Sequence, residues 1–442
     1  MLLVGNGKLI TREATQPYYA NGCVAIENNL IKEVGPTTQL KMKYPEARFI
    51  DAKGRIIMPG LINTHMHYYS TFARGMSTDS PPPRTFAEIL EGLWWRLDKV
   101  LTLEDVYYSA LVPMIDCVKN GVTTSFDHHA SPYAVRGSLN KIAEAAKKVG
   151  LRSSLCYEVS DRDGEEIAQQ GIEENAEFIK YCTAANDDML KGMFGLHASL
   201  TLSDRTLEKC CEANAGSGVG FHIHTAEGPE DVEDSLKKYG KRVVERLYDF
   251  GILGSKSITV HCVHVNEDEI ELLKTTASNV IHNPESNMGN AVGCAPVLDM
   301  IKKGVMVGLG TDGYTTDMFE SLKVANILHK FNQKNPSVSW NEPPTMLFEN
   351  NSFIASKYFS RIIGKLIPGA YADIIIVNYN PPTTISAANF NSHIHFGMMG
   401  RSVDTTIING KIIMEERELV DIDEQEIMAK SRELADKVWK KI

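Results

Sequence analysis

"PGLINTHMHYYS", Pro59–Ser70, places two histidines two residues apart at the end of an apolar run. In a strand alternate side chains point the same way, so His65 and His67 project together while Met66 turns to the other side. Two imidazoles on one face are a natural start to a metal site, although two surface histidines at a strand end would read the same. The rest of the chain has to decide.

Between about Pro59 and Asn332 an apolar, β-rich run gives way to a helical pattern eight times. "GLINTHMHY" precedes a long loop and "FAEILEGLWWRLDKVL". "GVTTSFDHH" precedes "SLNKIAEAAKKVG", "SITVHCVHV" precedes "NEDEIELLKTT", and "GVMVGLGTDG" precedes "FESLKVANILHKF". Eight strand–helix units give an α/β fold class, a (β/α)8 TIM-like barrel. A doubly wound open sheet would also alternate, but no strand here is followed by a GxGxxG turn. Both chain ends read as short strands with turns, among them "CVAIENNLIKEVG" and "DTTIINGKIIMEEREL". Neither end has enough apolar surface to be stable alone, so the two are expected to meet in one small β-sandwich. The expected division is 1–58 and 367–442 in the sandwich, with a terminal helix, and 59–366 in the barrel.

Composition narrows the function. The 442 residues are 43% hydrophobic and 23% charged, with a net charge of -10. That balance gives no electrostatic footprint for nucleic acid or an anionic membrane. The opening "MLLVGNGKLI" lacks the basic start and long apolar core of a signal peptide, and no apolar stretch approaches the roughly 20 residues of a membrane span. Eight scattered cysteines without a CxxC pair point to a reducing cytoplasm. The expected partner is a small molecule; self-association into a homo-oligomer is left open.

The polar residues fall where a barrel keeps its active site, at the C-terminal ends of the strands. His65 and His67 end the first, His197 the fourth, and His222 and His224 the fifth, with Glu227 three residues beyond. His261 lies in the sixth, and Asp312 follows "VGLGT" at the end of the eighth. Three neutral imidazoles and one carboxylate leave an open position for water on Zn2+ or Fe2+, and the ion brings that water's pKa towards about 7. A nearby carboxyl can then carry a proton to the leaving group. Asp312 can accept the first proton, and His261 can orient the hydroxide or polarise the substrate.

Each residue also has a plainer reading. His222 lies deeper than His224 and reads as a core histidine, His264 as a loop residue. Only one of His128 and His129 should face inward, as a substrate contact or as a turn residue. Asp312 could merely cap the next helix. Trp94 and Trp95 read as core, or as a stacking surface for a flat heterocycle. "STDSPPPRT", Ser77–Thr85, is a Pro-rich loop long enough to cover the barrel mouth.

In that order, "PGLINTHMH", "HTAE", "TVHC" and "GLGTDG" resemble the amidohydrolase superfamily. Within it they are similar to the branch of aminohydrolases and chlorohydrolases acting on triazines, purines and adenosine derivatives. "GLWWRL" and "DHHASP" resemble the SsnA-type aminohydrolases. The likeness covers nearly the whole chain, including the return segment "GKLIPGAYADIIIVNY". It implies that His65, His67, His224 and Asp312 are metal ligands, Glu227 a proton shuttle, His261 the residue orienting the hydroxide, and His197 a substrate contact. Binuclear members carry a carboxylated lysine at the end of strand four; "GMFGLHASL" has none. One divalent ion per chain is therefore expected, Zn2+ first and Fe2+ as the alternative. The expected activity is release of ammonia from an amino-substituted nitrogen heterocycle by metal-bound hydroxide. Removal of a halide or alkylamine, cyclic amide hydrolysis, and a catalytically dead assembly protein are the alternatives.

Overall fold

The computed structural model describes residues 1–77, 79 and 81–442. The barrel strands are, in order, Leu61–Met66, Val122–His129, Arg152–Tyr157, Leu190–Gly192 with Phe194–Ala198, Phe221–Thr225, Ile258–His261, Asn279–His282 and Met306–Leu309. The fourth is a single path interrupted at Met193. Hydrogen bonds link these strands into two parallel sheets. Parallel bridges Val159↔Leu196 and Met66↔Asp312 join the sheets on both sides. There the N–H groups of Thr311 and Asp312 donate to the His65 carbonyl at 3.0 and 3.1 Å. The eighth strand thus returns to the first, as the eight repeats require.

Strands enclosed on both faces should be apolar with small polar interruptions, and Val122–His129 is buried at every position. The outer helices bury one stripe each. Ser138–Val149 turns Leu139, Ile142, Ala143, Ala146 and Val149 inward and stops at Gly150, whose φ of 79° ends it in the left-handed region. Among the helices that the sequence did not disclose, two flank the site-bearing strands. Leu103–Lys119 starts from a Thr102/Asp105 capping box but carries Pro113 in its interior. Pro229–Tyr239 begins directly after the Glu227–Gly228 turn, where Gly-Pro looks like loop.

Both chain ends meet in one nine-stranded sheet. Its central strand, Ile56–Pro59, pairs in parallel with Leu2–Ile10 and antiparallel with Ile374–Val377. Leu30 bridges Tyr371, so the far strand returns towards Ile374–Val377 around a core that includes Val4, Val24, Ile57, Ile374 and Ile407. The terminal unit is thus one continuous sheet around its own core. The barrel rests on it through Arg152, the first residue of strand three. Its guanidinium donates to both Asp373 carboxylate oxygens at 3.3 Å and stacks over Tyr371 at 4.2 Å. No helix among the described residues is long and apolar enough to cross a membrane.

Candidate active site

Four imidazoles converge at the C-terminal mouth, and a hydrogen bond on each Nδ1 leaves Nε2 turned inward. His67 Nδ1 meets the His128 carbonyl at 2.5 Å and His224 Nδ1 the His197 carbonyl at 2.9 Å. A carbonyl only accepts, so both rings carry a proton on Nδ1, and Nε2 is the nitrogen left for the site. His65 Nδ1 lies 2.9 Å from His222 Nε2, and His261 Nδ1 is 2.8 Å from Asn287 Oδ1. His222 is a core histidine, as read, and it also fixes the ring of His65. His261 Nε2 and His65 Nε2 are buried with no hydrogen-bond partner. Buried nitrogens without partners are costly, and several aimed at one point fit a cation. The barrel bends to aim them: His261 and Cys262 end strand six at φ of 70° and 49°, and Asp312 sits at 55°.

Asp312 completes the set. Its Oδ1 is 3.1 Å from His67 Nε2 and 3.8 Å from His65 Nε2, and it accepts from the Gly313 N–H at 2.7 Å. Its Oδ2 accepts from the Ser286 hydroxyl. The cap of the following helix is Asp317, which frees Asp312 for the site. Potential donor atoms of His65, His67 and Asp312 lie within 4.8 Å of one another, as do those of His65, His224 and His261. Burial opposes charge on His67, yet the hydrogen bond and charge of Asp312 outweigh it and raise the imidazole to about 9. Burial instead lowers His65 to about 3 and His224 well below the usual histidine range. Two imidazoles kept neutral by burial, and a third on which Asp312 favours positive charge, surround one carboxylate, and such a set can hold a divalent cation, which would take the place of the proton on His67.

Glu227 stands beside this set, its Oε2 3.4 Å from His261 Nε2. Burial, then the charge of Asp312, raises its carboxyl well above the usual range, which favours the protonated form. Asp231 secures the turn that carries it, accepting from the Ala226 and Leu200 N–H groups at 2.9 Å each. A cleft opens above, lined among others by His67, His197, His224, Glu227, Asp312, Trp94 and Trp95. His197 faces the cleft with its Nδ1 2.7 Å from Thr201 Oγ1.

Trp94 and Trp95 both line the cleft although neighbours on an α-helix point about 100° apart. A wider π turn at Leu90–Trp94 leads into the α-helix that begins at Trp95. Trp94 sits edge-on to Tyr69 at 6.2 Å, and Trp95 lies between His197 at 6.3 Å and the Arg162 guanidinium at 5.3 Å. Of the histidine pair, His128 points into the barrel beside Glu158, and His129 turns away to Ser131 Oγ at 2.9 Å. Neither lines the cleft. His264 is a loop residue held by the Val292 carbonyl. Of the Pro-rich loop, Thr78 and Ser80 lie outside the described residues, and Pro81–Arg84 are exposed. Phe86 and Leu90, from the helical segment after the prolines, reach the cleft.

Glu158, Ser286, Asn287 and Asn290 went unread in the sequence. Asn290 Nδ2 reaches the Ser286 hydroxyl at 3.2 Å and Glu227 Oε1 at 3.5 Å, tying the two carboxyls together. "HNPESN", Asn-rich directly after strand seven, was the available signal.

A barrel that turns four imidazoles and a carboxylate towards one point, beside a buried glutamic acid, defines a metal-dependent hydrolase. Residues 56–413 match the Amidohydrolase family, and the chain belongs to it. It is 34% identical over 441 residues to the 5'-deoxyadenosine deaminase of Methanosarcina mazei, covering 99% of this chain and 98% of the relative. It is 30% identical over 438 residues to the 5-methylthioadenosine/S-adenosylhomocysteine deaminase of Pelotomaculum thermopropionicum, covering 98% of each. A zinc-bound adenosine deaminase from Xanthomonas campestris shares the fold with a TM-score of 0.86 at 23% identity, covering 99% of this chain and 98% of that one. The protein is a metal-dependent aminohydrolase acting on carbon–nitrogen bonds other than peptide bonds. The aminohydrolase reading of the motifs is borne out.

Proposed function

We propose that the protein deaminates 6-aminopurine nucleosides of the 5'-deoxyadenosine type, using one zinc ion held by His65, His67, His224 and Asp312. The observation that carries this is the placement of the buried Glu227 carboxyl beside four inward-facing Nε2 atoms at the base of a tryptophan-walled cleft. Full-length likeness to deaminases of 5'-modified adenosines supports the substrate class. So does the lining itself. It carries Glu158, Glu227, Asp231 and Asp312 and no Lys or Arg, which favours an uncharged nucleoside over a phosphorylated one. Eight free cysteines agree with action in a reducing cytoplasm.

A divalent ion at these ligands would supply a nucleophilic oxygen at neutral pH by lowering the pKa of water. The side chains do the rest. Glu227 gives its proton to the ring nitrogen beside the reacting carbon, breaking the ring's conjugation there. His261, its Nδ1 fixed by Asn287, accepts a hydrogen bond from the incoming oxygen at Nε2. Asp312, steadied by Ser286, takes up the proton that the oxygen loses. Trp94 and Trp95 hold the flat ring in register with these groups and exclude water above it.

Ammonia release tests this with the metal-loaded enzyme and 5'-deoxyadenosine, 5'-methylthioadenosine, adenosine, adenosine monophosphate, guanine and a chlorotriazine. The nucleosides should react and the monophosphate should be poor. Turnover of guanine or the triazine with none of the nucleosides would overturn the proposal.

A further inference from the structure

Two carboxylates flank the ligand set, and the reaction above uses only one. Glu227 clusters with His261 and Asp312; Glu158 clusters with His67, His128 and His224, each group with ligand atoms within 4.8 Å of one another. Glu158 stands one residue past strand three, 5% exposed, anchored by its N–H to the His129 carbonyl at 2.9 Å. Its Oε2 lies 3.2 Å from His128 Nδ1. The side chain also lines the cleft, within reach of a ligand bound there. A buried carboxylate in a substrate cleft requires a donor, because an acceptor left unpaired is costly.

The reacting carbon of the ring carries a ring nitrogen on one edge and the leaving group on the next. With the ring nitrogen at Glu227, the leaving group is directed towards the opposite flank. We propose that Glu158 is the leaving-group selector, accepting a hydrogen bond from the exocyclic amino group that departs. This rests on the deaminase reading above. Water oxygen bonds to the ring carbon, the carbon–nitrogen bond breaks with its electron pair on nitrogen, and one water proton leaves with the amino group as ammonia. An amino group offers N–H donors to Glu158 throughout. A chloro substituent offers only lone pairs, which a carboxylate repels.

The experiment compares kcat/KM for a 6-amino- and a 6-chloropurine nucleoside with the same sugar, following ammonia and chloride release. Wild type, Glu158→Gln and Glu158→Asp are measured metal-loaded, with metal content determined on each. In Glu158→Gln an amide N–H can face the amino group, so the amino-to-chloro ratio should fall by about ten- to hundredfold at unchanged metal content. Glu158→Asp keeps the charge but withdraws it by one methylene, and its ratio should also fall. It decides the matter if the glutamine variant does not fold. An equal loss on both substrates would overturn the proposal, leaving Glu158 only as a support for His128. Wild type that releases chloride but no ammonia contradicts the deaminase reading and the selector together. Normal deamination with an unmoved ratio contradicts the selector alone.

Discussion

Two buried polar clusters sit at opposite ends of the barrel strands, and they are built on opposite rules. At the N-terminal end Arg152 is densely partnered: its donors meet Asp373, Asn409 and the Asp188 carbonyl, and its face meets Tyr371 and Phe359. At the C-terminal end His65 Nε2 and His261 Nε2 are aimed at one space and meet no partner. A satisfied cluster holds the barrel on the terminal sheet. An unsatisfied one at strand ends is held open for something to bind, which is why burial alone does not distinguish structure from function.

The largest effects should separate the clusters. Replacing His224 by Ala should lower metal affinity by more than about a hundredfold and abolish activity with it, since even supporting residues are worth that much. Arg152→Ala should do the reverse. Leaving Asp373 buried without its partner costs about 3–5 kcal/mol of stability, while the protein that remains folded keeps its metal and its KM. Metal analysis and thermal unfolding of the two variants check this. A stable Arg152→Ala that had lost metal would break the comparison.

Glu227→Gln refines it within the site. The amide keeps shape and hydrogen bonding but carries no proton, so kcat should fall by about a hundred- to ten-thousandfold at full metal content. Near wild-type kcat would remove Glu227 from the proton path.

Trp94→Ala and Trp95→Ala should act more mildly. A core tryptophan lost to Ala costs about 3–5 kcal/mol, but both of these are only partly buried and face the cleft. Each should raise KM several-fold with less loss of stability than that. Unchanged KM in both would mean that the ring is not held by stacking.

The smallest expected effect concerns pH. Burial lowers His129 to about 3 and His329 to about 4, below the ordinary 6.5. Unfolding in acid therefore takes up protons at these positions, and their contribution to stability is present above about pH 6.5 and lost as pH falls towards 4. The slope is at most about 1.4 kcal/mol per pH unit for each group. His329→Gln should flatten the fall in melting temperature between pH 6.5 and 4.5. An unchanged profile would show that His329 is not kept neutral.

The contrast also explains what the sequence disclosed. Alternating strands and helices show the barrel because each strand is a short apolar run with a polar end, as in "TVHC". His65, His67, His224, His261 and Asp312 are legible because a histidine or aspartate ending such a run has no packing reason to be there. Glu158 is not, since "CYEVSDRDGEE" is rich in acids and nothing local singles one out. Asn287 and Ser286 lie on the short helix Pro284–Gly289, whose placement against His261 and Asp312 comes only from the closed barrel. Both tryptophans line the cleft although they are neighbours in the chain, which helical periodicity does not reveal.

The central claim is that one cation at the C-terminal mouth is sufficient for catalysis. It is tested most directly by adding zinc in measured portions to metal-free protein and following ammonia release from 5'-deoxyadenosine against bound metal. The account requires activity to rise linearly and stop at one equivalent per chain, and His224→Ala to stay inactive throughout. Activity that appears only as a second equivalent binds would contradict it.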